Sequence, residues 1–595
     1  MTTSNAVPGF DGPTRPARPL DDPLVRYTGY HPGTTQINAG TVVKEGYAPV
    51  SCDITYDRDV SLTLRDGTTV YVDIFRPTGV DNVPAIIPWG PFGKQIGCYS
   101  LDDFPVRMGI PATRTSGLEA WEAPDPSYWC THGYAIVNPD PRGAYRSEGD
   151  IMVYNRQEGR DGHDVIEWTA DQPWCNGKVG MAGNSWLATA QWFIASEQPA
   201  HLAAIAPWEG ESDLYRDLMV TGGIPDPAFM DSLIHAFPGG GRIDDIAAAT
   251  SEHPLFDQYW EQHRALVEQI DVPVYSVASW SNAVHTAGSI RAHRRLTNTP
   301  SWLRVNNTQE WPDFLDYEED LRSFFDHYLR GVENDWEKTP AVRLCILDPG
   351  GIDDVDRAMS HFPPQGTQAR RLYLDAGTGR LENDPPVGSA SLRYRSDDGT
   401  SRAQFVHRFE QDTELIGFPS LHLQLEAVDA ADADVFILIQ KLDADGELLF
   451  SRTVPFSDPD ILAQTKAAFD AGVPDVRTLF HEGPWGSARL SHRTKDAALS
   501  TTEDPVLEHT APVDTAAGST YAIDIPMTPM GTRWHAGQQL RLALGGFKLS
   551  ATIPPSTRYV SGEMAPAQTI NTGDHIIHTG PDHQSYLTVP VGPSS

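Results

Sequence analysis

The residues best suited to chemistry lie in KVGMAGNSWLATAQWFIAS, residues 178–196. Ser185 stands between a short apolar run and a helix-like run, with Gly183 two positions before it. A serine on a sharp strand-to-helix turn holds its hydroxyl clear of the backbone. The N–H of the next residue, here Trp186, then points at the oxyanion formed when the serine attacks a carbonyl. That arrangement is the setting of nucleophilic acyl chemistry. A bare G-x-S triplet carries little information; the strand before it and the helix after it give it weight. The plain alternative is a serine that only caps the helix.

Such a turn needs a sheet to hold it, and the flanking sequence supplies one. VSLTLRDGTTVYVDIFRP (residues 60–77) alternates apolar and polar residues around Asp66-Gly67, which predicts a hairpin. VPAIIPW (83–89), GYAIVNPD (133–140), LAAIAPW (202–208), VPVYSVAS (272–279) and SWLRVN (301–306) are short apolar runs of the kind found in strands buried on both faces. EGRDGHDVIEWTADQ (158–172) predicts a helix with Val165, Ile166 and Trp168 inward. Strands alternating with helices predict an α/β domain around a mainly parallel sheet covered on both sides.

Residues 1–40 are rich in Pro, Gly, Asp and Thr and read as an irregular N-terminal extension. Residues 41–210 and 271–340 carry the α/β pattern. Between them, residues 211–270 break into helix-like pieces and the run FPGGGR, which reads as a helical cap over the strand ends where ligands bind. Residues 341–595 change texture to alternating strands separated by Gly, Asp and Pro turns, a C-terminal β jelly roll.

A chain of 595 residues exceeds what one hydrophobic core serves, and 40% hydrophobic with 21% charged residues fits a soluble globular protein. A net charge of −35 argues against nucleic acid and anionic membranes as partners. No signal-peptide core and no apolar run of about 18 residues stands out, so a cytoplasmic location is expected. The five cysteines have neither C-x-x-C spacing nor a disulfide framework, and neither a metal nor a cofactor is expected. A homo-oligomer is compatible with this composition.

WCNGKVGMAGNSWLATAQW resembles the nucleophile region of the cocaine-esterase-like (CocE/NonD) hydrolases, which are related to X-Pro dipeptidyl peptidases and α-amino-acid ester hydrolases. The family pattern is W-C-x-G-x-V-G-x-x-G-x-S-Y-x-G, with Trp186 here in place of the tyrosine and Ala188 in place of the last glycine. LRDGTTVYVDIFRP, GYAIVNPDPRGAYRSEGD, WHAGQQLRLALGG and the NTG at residues 571–573 are similar to further family segments, so the resemblance spans roughly residues 60–591. It implies an α/β-hydrolase fold with a helical cap and a C-terminal jelly-roll domain.

Three functional positions differ from what the resemblance implies. The family tyrosine that lends a hydroxyl to the oxyanion hole falls in GPFGK, where Phe92 has none; only its backbone remains as a donor beside the Trp186 N–H. The family acid falls in WSNAVH, at or near Asn282. The family histidine falls in VNNTQEWPDF, which has no histidine, and His327 further on reads as part of a packing helix. Two residues remain near the right strand ends, His285 after PVYSVAS and Glu310 after SWLRVN. Because a triad is defined by geometry rather than chain order, an exchange of places is expected, with His285 as base to Ser185 and Glu310 orienting it. The bland readings are a packed helix histidine and an N-terminal helix acid.

Trp89, Trp280 and Asn282 fall near strand ends and are expected to line the substrate pocket, with core packing as the alternative for the tryptophans. Glu209, Glu211 and Asp213 open the cap and are candidates for contact with a substrate amine; Asp140 is expected to organise the Arg142 loop, and His235 is a weaker alternative base. The expected activity is serine-dependent hydrolysis or acyl transfer on a small-molecule ester or amide. A cyclase or lyase reusing the fold, and a non-catalytic binding protein, are the alternatives.

Overall fold

The computed structural model describes residues 12–95, 97–282, 284–453, 463, 467, 480–549 and 569–593. Its central sheet has eleven strands among these residues: β1 (Gly33–Ile37), β2 (Ile54–Thr63), β3 (Thr69–Pro77), β4 (Val83–Ile87), β5 (Ala135–Asp140), β6 (Cys175–Asn184), β7 (Leu202–Trp208), β8 (Val274–Ser279), β9 (Ser301–Asn306), β10 (Val342–Ile346) and β11 (Asp354–Met359). The order across the sheet is β11-β10-β9-β8-β7-β6-β4-β5-β3-β2-β1. Strands from β5 through β4 to β10 pair in parallel, while β11, β3, β2 and β1 pair antiparallel at the two edges.

Helices cover both faces because the central strands are apolar on both. Helix α1 (Arg156–Ala170) and α2 (Trp186–Ser196) pack on one face with Val179, Met181 and Ile205. On the other face Ala182, Ala204, Ala206 and Trp208 meet Leu321, Phe324 and Phe325 of a later helix, Glu318–Arg330. Neighbours along a strand thus divide between two cores, the period of two that strand geometry imposes. Helix α3 (Thr286–Arg294) follows β8 and α4 (Glu310–Asp316) follows β9, which brings both helix starts to the strand ends near Ser185.

Two boundaries read from composition are corrected. The opening stretch is not irregular throughout: β1 adds an edge strand to the sheet, and Thr14–Pro16 pairs with Arg242–Asp244 of the cap. The sheet also runs past residue 340, because β10 continues the parallel order beside β9 and β11 returns antiparallel. Pairing partners distant in sequence, not local composition, decide both cases.

The excursion after β7 holds short helices (Ala228–Ile234, Ile246–Glu252, Gln258–Gln262) and places Phe237 over the start of α2, its ring 4.9 Å from that of Trp186. The C-terminal part is a β jelly roll whose strands alternate buried and part-exposed residues, as in Ser420–Ala427. It meets the hydrolase part at Trp280, whose indole N–H is held within the central sheet by the Cys345 carbonyl of β10 at 2.6 Å. A Cβ on Gly531 of the jelly roll would stand 2.8 Å from the Trp280 ring, so glycine is required for that approach.

Candidate active site

Ser185 joins β6 to α2 with φ 53° and ψ −116°, a strained conformation for a residue with a side chain. Gly183, at φ 140°, makes room for the turn: a Cβ there would come 2.6 Å from Leu187 Cβ. The Ser185 N–H donates to the Trp208 and Glu209 carbonyls at 3.3 and 3.0 Å, so the bend is tied to the end of β7. Its side chain caps nothing, which removes the helix-capping reading.

The N–H groups of Trp186 and Phe92 make no hydrogen bond among the described residues. The two residues are neighbours, with ring centroids 6.2 Å apart. The Phe92 carbonyl is held from the other side by the Tyr145 hydroxyl at 2.9 Å and the Cys98 N–H at 3.2 Å. Next to it, buried Lys94 pairs with Asp59 at 2.6 Å and Asp140 at 3.2 Å, and Asp140 also accepts the Lys94 N–H. Asp140 therefore organises the Phe92–Lys94 loop rather than Arg142, whose guanidinium is taken by Asp161 and Asp66.

His285 stands one residue before α3 and is 4% exposed. Its Nδ1 lies 2.7 Å from Glu211 Oε1, and its Nε2 lies 3.6 Å from Glu310 Oε2. The hydrogen bond that sequence reasoning assigned to Glu310 is thus made by Glu211; Glu310 faces the other ring nitrogen beyond hydrogen-bond reach. Thr189 fixes Glu211, donating to Oε2 at 3.0 Å and accepting the Glu211 N–H at 3.1 Å. Gly210 lets the loop press on the first turn of α2, since a Cβ there would come 2.5 Å from the Thr189 nitrogen. Sequence spacing places Glu211 only at the opening of the cap and does not reveal which loop end meets His285.

Asn282 binds the group together. Its Nδ2 donates to Glu209 Oε2 at 2.7 Å and Glu310 Oε2 at 3.1 Å, while its Oδ1 accepts the N–H groups of Val284 and His285. With both ends engaged, it organises the site. Asn184, beside Ser185, donates to the Glu310 carbonyl at 2.9 Å.

Burial penalises charge throughout the cluster. Burial, then Glu310 and Asp313, raise the Glu209 carboxyl well above its ordinary value. Burial, then Glu310, does the same to Glu122. The Glu310 carboxyl is also raised by burial, against the opposing pull of His285 and Asn282. For His285 burial favours the neutral ring, but the charge and hydrogen bond of Glu211, with Glu310 added, outweigh it and raise its pKa.

The expected pocket tryptophans lie elsewhere. Trp89 is 1% exposed, and its indole N–H is held by Glu158 at 3.0 Å, the same Oε1 that accepts the Trp186 indole N–H at 3.1 Å. Trp280 sits at the jelly-roll contact described above. Both are core anchors, because apolar area at a strand end is as readily covered by a neighbouring element as by a ligand. The cleft beside Asn184 is lined instead by Tyr99, Trp121, Glu122, Trp311 and Phe314. Trp121 and Trp311 stand 5.3 Å apart, with Phe104 stacked on Trp121. Trp311 adjoins Glu310 in TQEWPDF, a signal that was open to sequence reasoning.

The remaining candidates are structural. His235 is half exposed and bonded to Arg15, while His327 contacts the Val332 carbonyl and Glu337. The five cysteines are free. No described helix is long and apolar enough to cross a membrane.

Residues 66–237 match the X-Pro dipeptidyl-peptidase (S15 family), and residues 334–588 match the X-Pro dipeptidyl-peptidase C-terminal non-catalytic domain. The cocaine esterase of Rhodococcus sp. (strain MB1 Bresler) is 23% identical over 630 residues, covering 90% of this chain and 98% of its own. An α-amino acid ester hydrolase shares the fold with a TM-score of 0.63 at 17% identity, over 90% of this chain and 96% of that one. A CocE/NonD family hydrolase from Staphylococcus aureus, solved by crystallography, superposes with a TM-score of 0.83 at 30% identity over 94% of this chain and 97% of that one. On that likeness, which spans the α/β sheet, the cap and the jelly roll together, the chain belongs to the CocE/NonD family of serine-type hydrolases.

Proposed function

We propose that the protein cleaves an ester or amide through an acyl-enzyme on Ser185, with His285 as base and Glu211 as the carboxylate that orients it. The observation that carries this reading is the strained Ser185 turn, held at φ 53° and ψ −116° where no capping role requires it. Ser185 Oγ attacks the substrate carbonyl carbon and its proton passes to His285 Nε2. The oxyanion is received by the N–H groups of Trp186 and Phe92. Collapse of the tetrahedral species breaks the bond to the leaving group, which takes the proton from His285. Water, or an alcohol or amine acceptor, then gives its proton to the same nitrogen and releases the acyl group. The His285 Nδ1 bond to Glu211 leaves Nε2 for Ser185, and catalytic pairs of this kind tighten on substrate.

The lining also favours a class of substrate. Glu209 Oε1, Glu122 Oε2 and Asn184 Oδ1 are buried acceptors without a partner among the described residues. A substrate ammonium brings three N–H donors and a positive charge to a wall of raised carboxyls, which would ionise around it. The name of the α-amino acid ester hydrolase relative points the same way.

Fluorophosphonate labelling tests the reading. Stoichiometric label on the wild type, lost in Ser185→Ala together with turnover of p-nitrophenyl acetate and amino-acid p-nitrophenyl esters, is the expected result. Turnover that survives Ser185→Ala without labelling would overturn it in favour of different acid–base chemistry in the same cavity.

A further inference from the structure

A second cavity, of about 330 Å³, opens where the cap, α3 and the jelly roll meet, and it shares no lining residue with the cleft beside Asn184. Contacts on either side hold its walls in place. The Arg216 guanidinium donates to the Leu507 and Glu508 carbonyls at 3.1 and 3.0 Å, and the Ser487 hydroxyl donates to the Thr221 carbonyl at 3.2 Å. Gly222 permits that approach, since a Cβ there would stand 1.9 Å from the Ser487 carbonyl oxygen. Ala287 of α3 and Trp485, Leu499, Val506 and Met527 of the jelly roll give the cavity apolar walls. Such a volume, apolar walls and a place between domains are the marks of a small-molecule site.

The charged groups in the wall decide what such a molecule carries. Arg216 engages Asp213 at 2.8 Å, and Arg295 engages Glu268 at 2.7 Å. Asp504 serves two guanidiniums at once, Arg291 at 3.1 Å and Arg294 at 3.3 Å. The other carboxyl near Arg291 is Asp217, at 3.6 Å. Burial outweighs the pull of Arg291 there and, with Asp213 and Glu211, raises Asp217 to about 7. Near neutral pH it supplies only part of a counter-charge. Arg294 rests on the Phe418 ring, 4.5 Å from its centre, and among the described residues its one hydrogen bond goes to Asp504. A guanidinium has five N–H donors, so most of this fork is unused. Burial, opposed by Asp504, reinforced by Arg291 and opposed least by Glu503, lowers the Arg294 pKa, as expected for a cation held without enough opposing charge. We propose that this cavity binds a small monocarboxylate with an apolar body, its carboxylate on the remaining N–H donors of Arg294 and its body against Ala287, Leu499 and Met527. Guanidinium and carboxylate are planar, two-point partners. Each carboxyl in the wall already faces a guanidinium, so an ammonium would compete with arginine for it. An inorganic anion would leave the apolar walls bare.

Binding in this cavity is independent of the acyl-enzyme reading and is measured directly. 4-Phenylbutyrate and its neutral counterpart 4-phenylbutan-1-ol are titrated by calorimetry into the full chain as wild type, Arg294→Gln, Ala287→Phe and Trp311→Ala. Wild type and Trp311→Ala are expected to bind the acid saturably and about tenfold or more tighter than the alcohol. Arg294→Gln should weaken the acid about 10–100-fold and leave the alcohol unchanged. Ala287→Phe, which fills the cavity, should remove both. Equal affinity for acid and alcohol, an acid that binds Arg294→Gln as it binds wild type, or no saturable binding at millimolar acid overturns the inference. Binding lost in Trp311→Ala does so too, because it would place the acid in the cleft beside Asn184. Should Arg294→Gln fail to fold, Ala287→Phe carries the test, and acid bound by that variant as tightly as by wild type overturns the inference.

Discussion

His285 Nδ1 and Glu211 Oε1 lie 2.7 Å apart, across 74 residues of sequence, with both side chains almost fully buried. The contact fixes which ring nitrogen carries the proton: Nδ1–H donates to the carboxylate, and Nε2 is left as the acceptor. Glu310, 3.6 Å from Nε2, bears on the ring only through its charge.

The two glutamates should therefore differ under mutation. Glu211→Gln keeps the shape but loses the charge that stabilises the imidazolium, and kcat is expected to fall by about 10²–10⁴-fold. Glu310→Gln should cost less than about tenfold. Steady-state kinetics on the same activated ester compares them, and a larger loss in Glu310→Gln would return the orienting role to Glu310.

The pH profile carries a signed expectation. In the proposed mechanism His285 must be neutral to accept the Ser185 proton, and its pKa is raised above the ordinary 6.5 because Glu211 and Glu310 together outweigh the effect of burial. The acid limb of kcat/KM should lie above pH 6.5 in wild type and move down in Glu310→Gln, where one raising charge is gone. A limb that stays put in that variant would show that Glu310 exerts no field at the base.

Trp280 and Trp311 should separate core from pocket. Trp280→Ala removes a side chain that is 3% exposed at the jelly-roll contact and is expected to cost about 3–5 kcal/mol of stability, with KM little changed in the surviving folded protein. Trp311→Ala, in the cleft wall, should raise KM for aromatic or apolar substrates while thermal stability drops less. Paired melting curves and KM values decide it, and the opposite assignment of effects would restore Trp280 as a pocket residue.

Helix α4 depends on one buried ion pair. Arg304 of β9, 0% exposed, donates to both oxygens of Asp313 in α4 at 2.8 and 2.5 Å. Asp313→Asn leaves that guanidinium buried without a counter-charge and is expected to destabilise the hydrolase part by about 3–5 kcal/mol. Urea denaturation measures this. A change under about 1 kcal/mol would mean that Arg304 finds enough in the faces of Tyr317 and Trp208, 3.7 and 5.1 Å from its guanidinium.

What the sequence determined by itself was everything encoded over short spans: the strand–serine–helix turn around Ser185, the alternation that builds the α/β sheet, and the switch to jelly-roll strands. Each depends on side-chain period or a local backbone requirement within one element. The tertiary structure alone decided the partnerships. Glu211 meets His285 because β7 and β8 are neighbours in the sheet and Gly288 of α3 leaves room for Glu211, and Glu310 reaches the far side of the same ring because β9 lies next to β8. The tryptophans show the same limit, since Trp89 and Trp280 have the composition of a pocket wall but are covered by Glu158 and by the jelly roll. Which side chains converge follows from the lateral order of strands, and that order is settled by packing between distant segments, which no local pattern records.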